Sequence, residues 1–300
     1  MISLTTNTGG LKLESPAILA SGILDENGYT MKRILDEGAG AVVTKSIGTE
    51  ERNGYFSPVV APEGSYLINA MGLPNPGIDF FRDEINIALK SGKPIIGSIF
   101  ASNKDDFLKL ALKMQDYGVS AVELNLSCPH VQGFGSEVGS DPVLVKDIVK
   151  NLKGTLKIPV WSKLSPNVTS ISEIARASSE SDALVLINTV RAMAIDVESK
   201  RPVLTNVYGG LSGKAIKPVG LRCVYEARKE CDIDIIGVGG IYNYRDALEY
   251  IMAGASAFQI GTALMEYGRK VFGDIAMDLE SYLKKNNVAN IKELVGVAVQ

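Results

Sequence analysis

The sequence predicts an α/β fold, a TIM (β/α)8 barrel with elaborated loops at the C-terminal face, on three observations. Short apolar runs rich in β-branched residues recur along the whole chain, each near-continuous as in a parallel sheet covered on its outer side. Amphipathic stretches of helical length alternate with them. Eight such units in 300 residues fit a closed barrel better than an open doubly wound sheet. No linker, low-complexity segment or short-period repeat divides the chain, so residues 1–300 read as one domain.

Taken in order, the expected strands are PAILA (16–20), AVVTK (41–45), PIIGSIF (94–100), AVELN (121–125), PVWSK (159–163), ALVLIN (183–188), DIIGVG (234–239) and AFQIG (257–261). The helical stretches between them are YTMKRILDEG, DDFLKLALKMQDYG, DPVLVKDIVKNLK, a run around ISEIARASSE, PVGLRCVYEARKE and YRDALEYIMAG. Several end in glycine, as helix C-caps do, and Pro142 and Pro218 stand where a first helical turn tolerates them. Two long connections, Gly48 to Gly77 and Thr189 to Lys217, are rich in Gly, Pro, Asn and Tyr. Loops of that length in a compact domain are usually functional.

Composition removes whole classes of function. A net charge of −3 and a pI near 5.5 argue against a nucleic-acid or anionic-membrane surface. No apolar stretch approaches the ~18–20 residues of a membrane helix, and MISLTTNTGGLKLESP lacks the layout of a signal peptide. Three cysteines, Cys128, Cys223 and Cys231, with no CxxC spacing, fit a reducing cytoplasm. With a single histidine, they supply no metal set of usual spacing, so no metal site is expected. Redox work by this chain would need an organic cofactor.

In a barrel, chemistry collects where the strands stop. The expected ends carry Lys45, Asn125, Lys163, Asn188, the Gly239–Gly240 pair and Gly261–Thr262. A single strand-terminal lysine is usually a solvated rim residue; four polar residues at successive ends are a set. The glycines of GVGGI and IGTA follow the seventh and eighth strands, where barrels build phosphate sites from backbone N–H groups. The stretch ELNLSCPH places Cys128 just past Asn125, followed by HVQGFGSEVGSD, a Gly- and Ser-rich segment suited to a lid. A cysteine there is a nucleophile, a proton acceptor or a small core residue, and spacing leaves all three open.

LASG (19–22), VTKS (43–46), NAMGLPN (69–75), ELNLSCP (123–129), KLSPNV (163–168), INT (187–189), GGLSG with KP (209–218), GVGGI and IGTA stand in order along nearly the whole chain. Together they resemble class 1 dihydroorotate dehydrogenases, and INTVRAMAIDVESKRPVLTN is most similar to the class 1B, NAD-linked catalytic subunits. The resemblance implies an FMN enzyme of pyrimidine biosynthesis that converts dihydroorotate to orotate, with Cys128 taking a proton from C5 while hydride leaves C6 for the flavin. It assigns substrate contacts to Lys45, Asn69, Met71, Gly72, Leu73, Asn125, Asn188 and Thr189. Flavin contacts fall on Ser21, Lys45, Ser46, Asn125, Lys163, Ile187 and Gly213, and the flavin phosphate on Gly239, Gly240, Gly261 and Thr262. A lysine near the pyrimidine end of the ring favours the anionic reduced flavin.

Two positions depart from the family pattern. His130 replaces the usual asparagine of CPN, a feature shared with dihydropyrimidine dehydrogenases, which act on uncarboxylated rings. Ser98 falls in the region where the family has a flavin-contacting asparagine. Lys45 and NAMGLPN form a carboxylate-binding pattern and favour dihydroorotate over that alternative. The INTVRAMAIDVESKRPVLTN stretch favours the NAD-linked class over the other alternative, a class 1A, fumarate-linked enzyme. The class 1B resemblance also implies a homodimeric core and a partner subunit carrying FAD and a [2Fe–2S] cluster, in a heterotetramer that passes electrons to NAD. This chain has neither a strand–GxGxxG–helix fingerprint nor four cysteines for the cluster.

Overall fold

A computed structural model describes residues 2–126 and 138–300. Eight parallel strands close a barrel in sequence order: β1 (Ala17–Leu19), β2 (Ala41–Val43), β3 (Ile95–Ile99), β4 (Ala121–Asn125), β5 (Val160–Leu164), β6 (Ala183–Leu186), β7 (Asp234–Val238) and β8 (Ala257–Ile260). Register pins the strand ends together; Asn125 of β4 stands opposite Lys163 of β5, and Ile260 of β8 opposite Leu19 of β1.

The helices surround this barrel. The expected ones are α1 (Gly28–Asp36), α3 (Lys104–Asp116), α4 (Pro142–Lys153), α5 (Ile171–Ala177), α6 (Lys217–Glu230) and α7 (Tyr244–Met252). Their starts follow from capping chemistry: Asn27, Asn103, Asp141, Ser170 and Asn243 each accept backbone N–H groups of the first turn. Pro142 and Pro218 stand in first turns, where a missing N–H costs nothing. Three helices add to the expected set: α2 (Arg82–Leu89), α8 (Ala263–Tyr267) and α9 (Val271–Lys285). The short α2 follows a 3-10 turn at Ile78–Phe80, just past the long connection from Gly48 to Gly77, in a stretch to which the sequence assigns no element.

Strand alternation divides the barrel residues into two sets. One fills the barrel interior with Ile18, Val43, Ile96, Ala121, Trp161, Val185 and Ile236 among others; the opposite set packs against the helices. The end where the strands begin is closed by an unforeseen hairpin, Thr6–Thr8 paired with Leu11–Leu13. Trp161 Nε1 donates to Gly9 O at 2.8 Å, Gly9 N donates to Asp234 Oδ2 at 2.8 Å, and Leu13 joins the interior cluster.

The two long connections meet at the other end. Val60–Glu63, Tyr66–Asn69, Gly209–Gly213 and Val190–Ala192 form one four-stranded antiparallel sheet over a small core of Ala61, Ile68, Ala70 and Leu204. Among the described residues no helix is long and apolar enough to cross a membrane.

Candidate active site

Between that sheet and the strand ends lies a cavity of about 420 Å3. Ser21, Lys45, Ser46, Asn69, Met71, Gly72, Leu73, Asn125, Lys163, Ile187, Asn188, Thr189, Gly213, Gly239, Gly240, Gly261 and Thr262 all line it. The structure thus brings together every site residue expected from sequence except Cys128, which lies outside the described residues, as does His130. Val60, Leu67 and Ser212 of the covering sheet complete the roof.

A chain of side-chain hydrogen bonds ties the strand ends to one another. Ser21 and Ser46 hydroxyls lie 3.3 Å apart, and Ser46 and Ser98 hydroxyls 2.8 Å apart. Asn125 Nδ2 donates to Ser46 Oγ at 3.1 Å, and Asn188 Nδ2 donates to Asn125 Oδ1 at 3.4 Å. Thr189 N closes the run on Asn188 Oδ1 at 2.8 Å. These contacts fix which way each amide faces, leaving a preset array of polar groups at the cavity floor. Ser98 is fully buried and braces Ser46.

Two lysines reach the cavity from strand ends and are nearly buried, Lys45 at 7% and Lys163 at 5% exposure. Lys45 Nζ meets Glu26 Oε1 at 2.8 Å, and that glutamate is mostly exposed at the rim. Lys163 Nζ lies 3.2 Å from Glu123 Oε1 and donates to Gln259 Oε1 at 3.3 Å. Gln259 Nε2 in turn donates to Glu123 Oε2 at 2.7 Å. A buried cation needs such a partner, because an isolated charge pays several kcal/mol for leaving water.

Asp25 is fully buried beneath the turn after β1. Its Oδ2 accepts from Gly22 N at 2.6 Å, while Lys45 N donates to its backbone carbonyl at 3.1 Å. Burial pushes the Asp25 carboxyl up to about 6 against the opposing pull of the Lys45 ammonium.

The NAMGLPN loop is held by Asn75. Its Oδ1 accepts from Gly48 N at 3.2 Å and Gly77 N at 2.9 Å, and its Nδ2 donates to Leu73 O at 3.0 Å. Leu73 adopts φ 56°, a left-handed conformation costly for a branched side chain, and Asn75 holds it there. At Gly72, φ 76°, a Cβ would come within 2.7 Å of Tyr55 N, so only glycine fits.

At the opposite end, Gly239 and Gly240 turn through φ 123° and 68°. A Cβ on Gly240 would meet Lys217 Cβ at 2.8 Å and Gly213 O at 3.0 Å, so backbone alone faces the cavity there. Tyr250 OH holds this turn through Gly239 O at 2.8 Å, and Thr262 Oγ1 donates to Ser212 Oγ at 3.1 Å. Beside them the Leu186–Ile187 peptide is cis; Ile187 N donates to Val238 O and Asn188 N to Leu164 O, both at 3.0 Å. The arrangement suits an elongated anionic ligand, with cations and amides at one part and a bare-backbone turn at another.

Glu123, Gln259, Asp25, Glu26 and Asn75 add to the site residues expected from sequence. Glu123 and Gln259 had a usable signal: Gln259 is the lone polar residue of an apolar strand, and Glu123 stands two before Asn125 in another and so faces the same side. Asp25 and Glu26 sit on a loop and Asn75 in a two-residue strand paired with Glu51–Arg52, where no periodicity reports direction.

Comparison with known proteins gives a consistent result. The sequence model of the dihydroorotate dehydrogenase family matches residues 3–283. The chain is 60% identical over 300 residues to the protein named dihydroorotate dehydrogenase B (NAD(+)), catalytic subunit, of Thermoplasma volcanium, covering 100% of both chains. A protein of the same name from Thermoplasma acidophilum is also 60% identical over 100% of both chains. Another from Methanocaldococcus jannaschii is 46% identical over 98% of both.

Proposed function

The chain belongs to the dihydroorotate dehydrogenase family, and from that premise we propose that it is the catalytic subunit of an FMN-dependent, NAD-linked dihydroorotate dehydrogenase of pyrimidine biosynthesis. The observation that carries this reading is that one cavity gathers the two buried lysines, the Asn125–Asn188 amides, the Asn69–Leu73 loop and the glycine turns of β7 and β8.

The residues present suit FMN. The bare-backbone turn at Gly239–Gly240 with Gly261 and Thr262 is a fitting cradle for its phosphate, and Lys163 supplies a cation for its ring. When bound, the flavin supplies a two-electron acceptor that no side chain offers. Ser21, Ser46, Asn125, Ile187 and Gly213 complete the flavin contacts. Lys45 and the backbone of Met71, Gly72 and Leu73 hold the substrate carboxylate, where an ammonium and fixed N–H donors give charge-assisted hydrogen bonds. Asn69, Asn125, Asn188 and Thr189 hold the ring polar atoms and so fix which face meets the flavin. Cys128 takes the C5 proton, a role that requires the thiolate near working pH.

A partner subunit holding FAD and a [2Fe–2S] cluster would supply the route for electrons toward NAD, in a cytoplasmic heterotetramer built on a dimer of this chain; the word subunit in the relatives' name agrees with such an assembly. The test is co-purification with native partners, followed by comparing NAD, fumarate and quinone as acceptors and dihydroorotate with dihydrouracil as substrates. NAD and dihydroorotate are expected to be preferred. Preference for dihydrouracil would overturn the substrate, and preference for fumarate would overturn the NAD-linked class.

A further inference from the structure

One buried ionisable group lies under the cavity with no part in the chemistry above. Glu123 is 0% exposed on β4, facing Lys163 of β5 and Gln259 of β8. The three side chains form a closed ring: ammonium to carboxylate at 3.2 Å, ammonium to the Gln259 carbonyl oxygen at 3.3 Å, and the Gln259 amide N–H to the other carboxylate oxygen at 2.7 Å. Gln259 fits only one way round, because its oxygen must face the cation and its nitrogen the anion. Lys163 and Gln259 line the cavity, whereas Glu123 does not.

We propose that Glu123 is a positioning residue that holds down the reduction potential of the flavin bound above it, by offsetting the charge of Lys163 and fixing where its ammonium stands. The proposal rests on the flavin reading. A lone ammonium against the flavin would stabilise the negative charge that reduction adds, making the flavin a better oxidant and a poorer donor. A carboxylate at ion-pair distance cancels much of that field, and low permittivity inside the barrel makes both contributions felt. Reduced flavin then stays reducing enough to deliver electrons toward a nicotinamide, a low-potential acceptor. The Gln259 brace keeps the ammonium shared between the ring and its counter-ion.

The experiment measures the flavin midpoint potential of the holoprotein by dye equilibration, for wild type, Glu123→Gln and Glu123→Asp. Glu123→Gln should shift the reduction equilibrium toward reduced flavin on the order of tenfold, about 30 mV upward for a two-electron couple. Glu123→Asp keeps the charge and should stay close to wild type. Glu123→Met fills similar volume without a polar group and carries the same upward expectation if the amide variant does not fold. Flavin retained at an unchanged or lowered potential in the neutral variants would overturn the proposal. A colourless wild-type protein that takes up no FMN would overturn the functional reading instead, so the two failures are distinguishable.

Discussion

Gly22 donates its backbone N–H to Asp25 Oδ2 at 2.6 Å, which sets a fully buried carboxylate under the turn that lines the cavity after β1. Burial, its largest influence, raises the carboxyl from 3.8 to about 6. Folding therefore favours the protonated form. The stability this group contributes is present below about pH 4 and is lost as pH rises through about 6. Roughly two pH units correspond to about 3 kcal/mol at most. Asp25→Asn keeps an oxygen for Gly22 and avoids the buried charge. Thermal unfolding should show it more stable than wild type at pH 8, by about 5 °C, with the gain vanishing toward pH 4. A gain of the same size at both pH values would refute this account.

Asn75 holds the loop that carries Met71, Gly72 and Leu73 from both sides. Asn75→Ala leaves two buried N–H groups without their acceptor, at a cost of about 1–3 kcal/mol each if nothing replaces it. Dihydroorotate KM should rise severalfold with flavin content unchanged, because the loop carries the contacts proposed for the substrate carboxylate. Loss of flavin with KM intact would show the loop serving the wrong ligand.

Lys45 is the cation proposed for the substrate carboxylate, and at rest it pairs with Glu26. Lys45→Met should weaken orotate binding by about 2–4 kcal/mol, the scale of a lost buried charge pair. Titrating the flavin spectrum with orotate measures it directly. Glu26→Gln should tighten orotate modestly, since the ligand no longer competes with an internal carboxylate; weaker binding would contradict that exchange.

Gly240 admits no side chain beside Lys217 and Gly213. Gly240→Val should yield folded protein, by circular dichroism, that purifies with little or no flavin. Full flavin occupancy in this variant would move the phosphate elsewhere.

The barrel was legible because each strand is an apolar run and the expected helices are amphipathic, five of them opened by a capping side chain and Lys217–Glu230 by Pro218 in its first turn. Arg82–Leu89 escaped because it is only two turns long and follows a Gly- and Pro-rich stretch. The hairpin Thr6–Leu13 escaped because three-residue strands give too little alternation to read. The two long connections announced themselves as functional, but nothing local in Tyr66–Asn69 names Gly210–Gly213 as its partner across the sequence. Strand-end residues such as Lys45, Asn125 and Lys163 were readable because the barrel fixes where ends point. The Glu123–Gln259 contact was not, since it joins strands 136 positions apart.

The central claim is a flavin reduced by dihydroorotate with Cys128 as the proton acceptor. Anaerobic rapid mixing of the purified protein with dihydroorotate, followed by visible flavin absorption, tests it most directly. The account predicts that the wild-type flavin bleaches rapidly, and that Cys128→Ala stays yellow and bleaches about a hundredfold or more slowly. A flavin that dihydroorotate leaves oxidised, or a Cys128→Ala variant that bleaches at the wild-type rate, would contradict it.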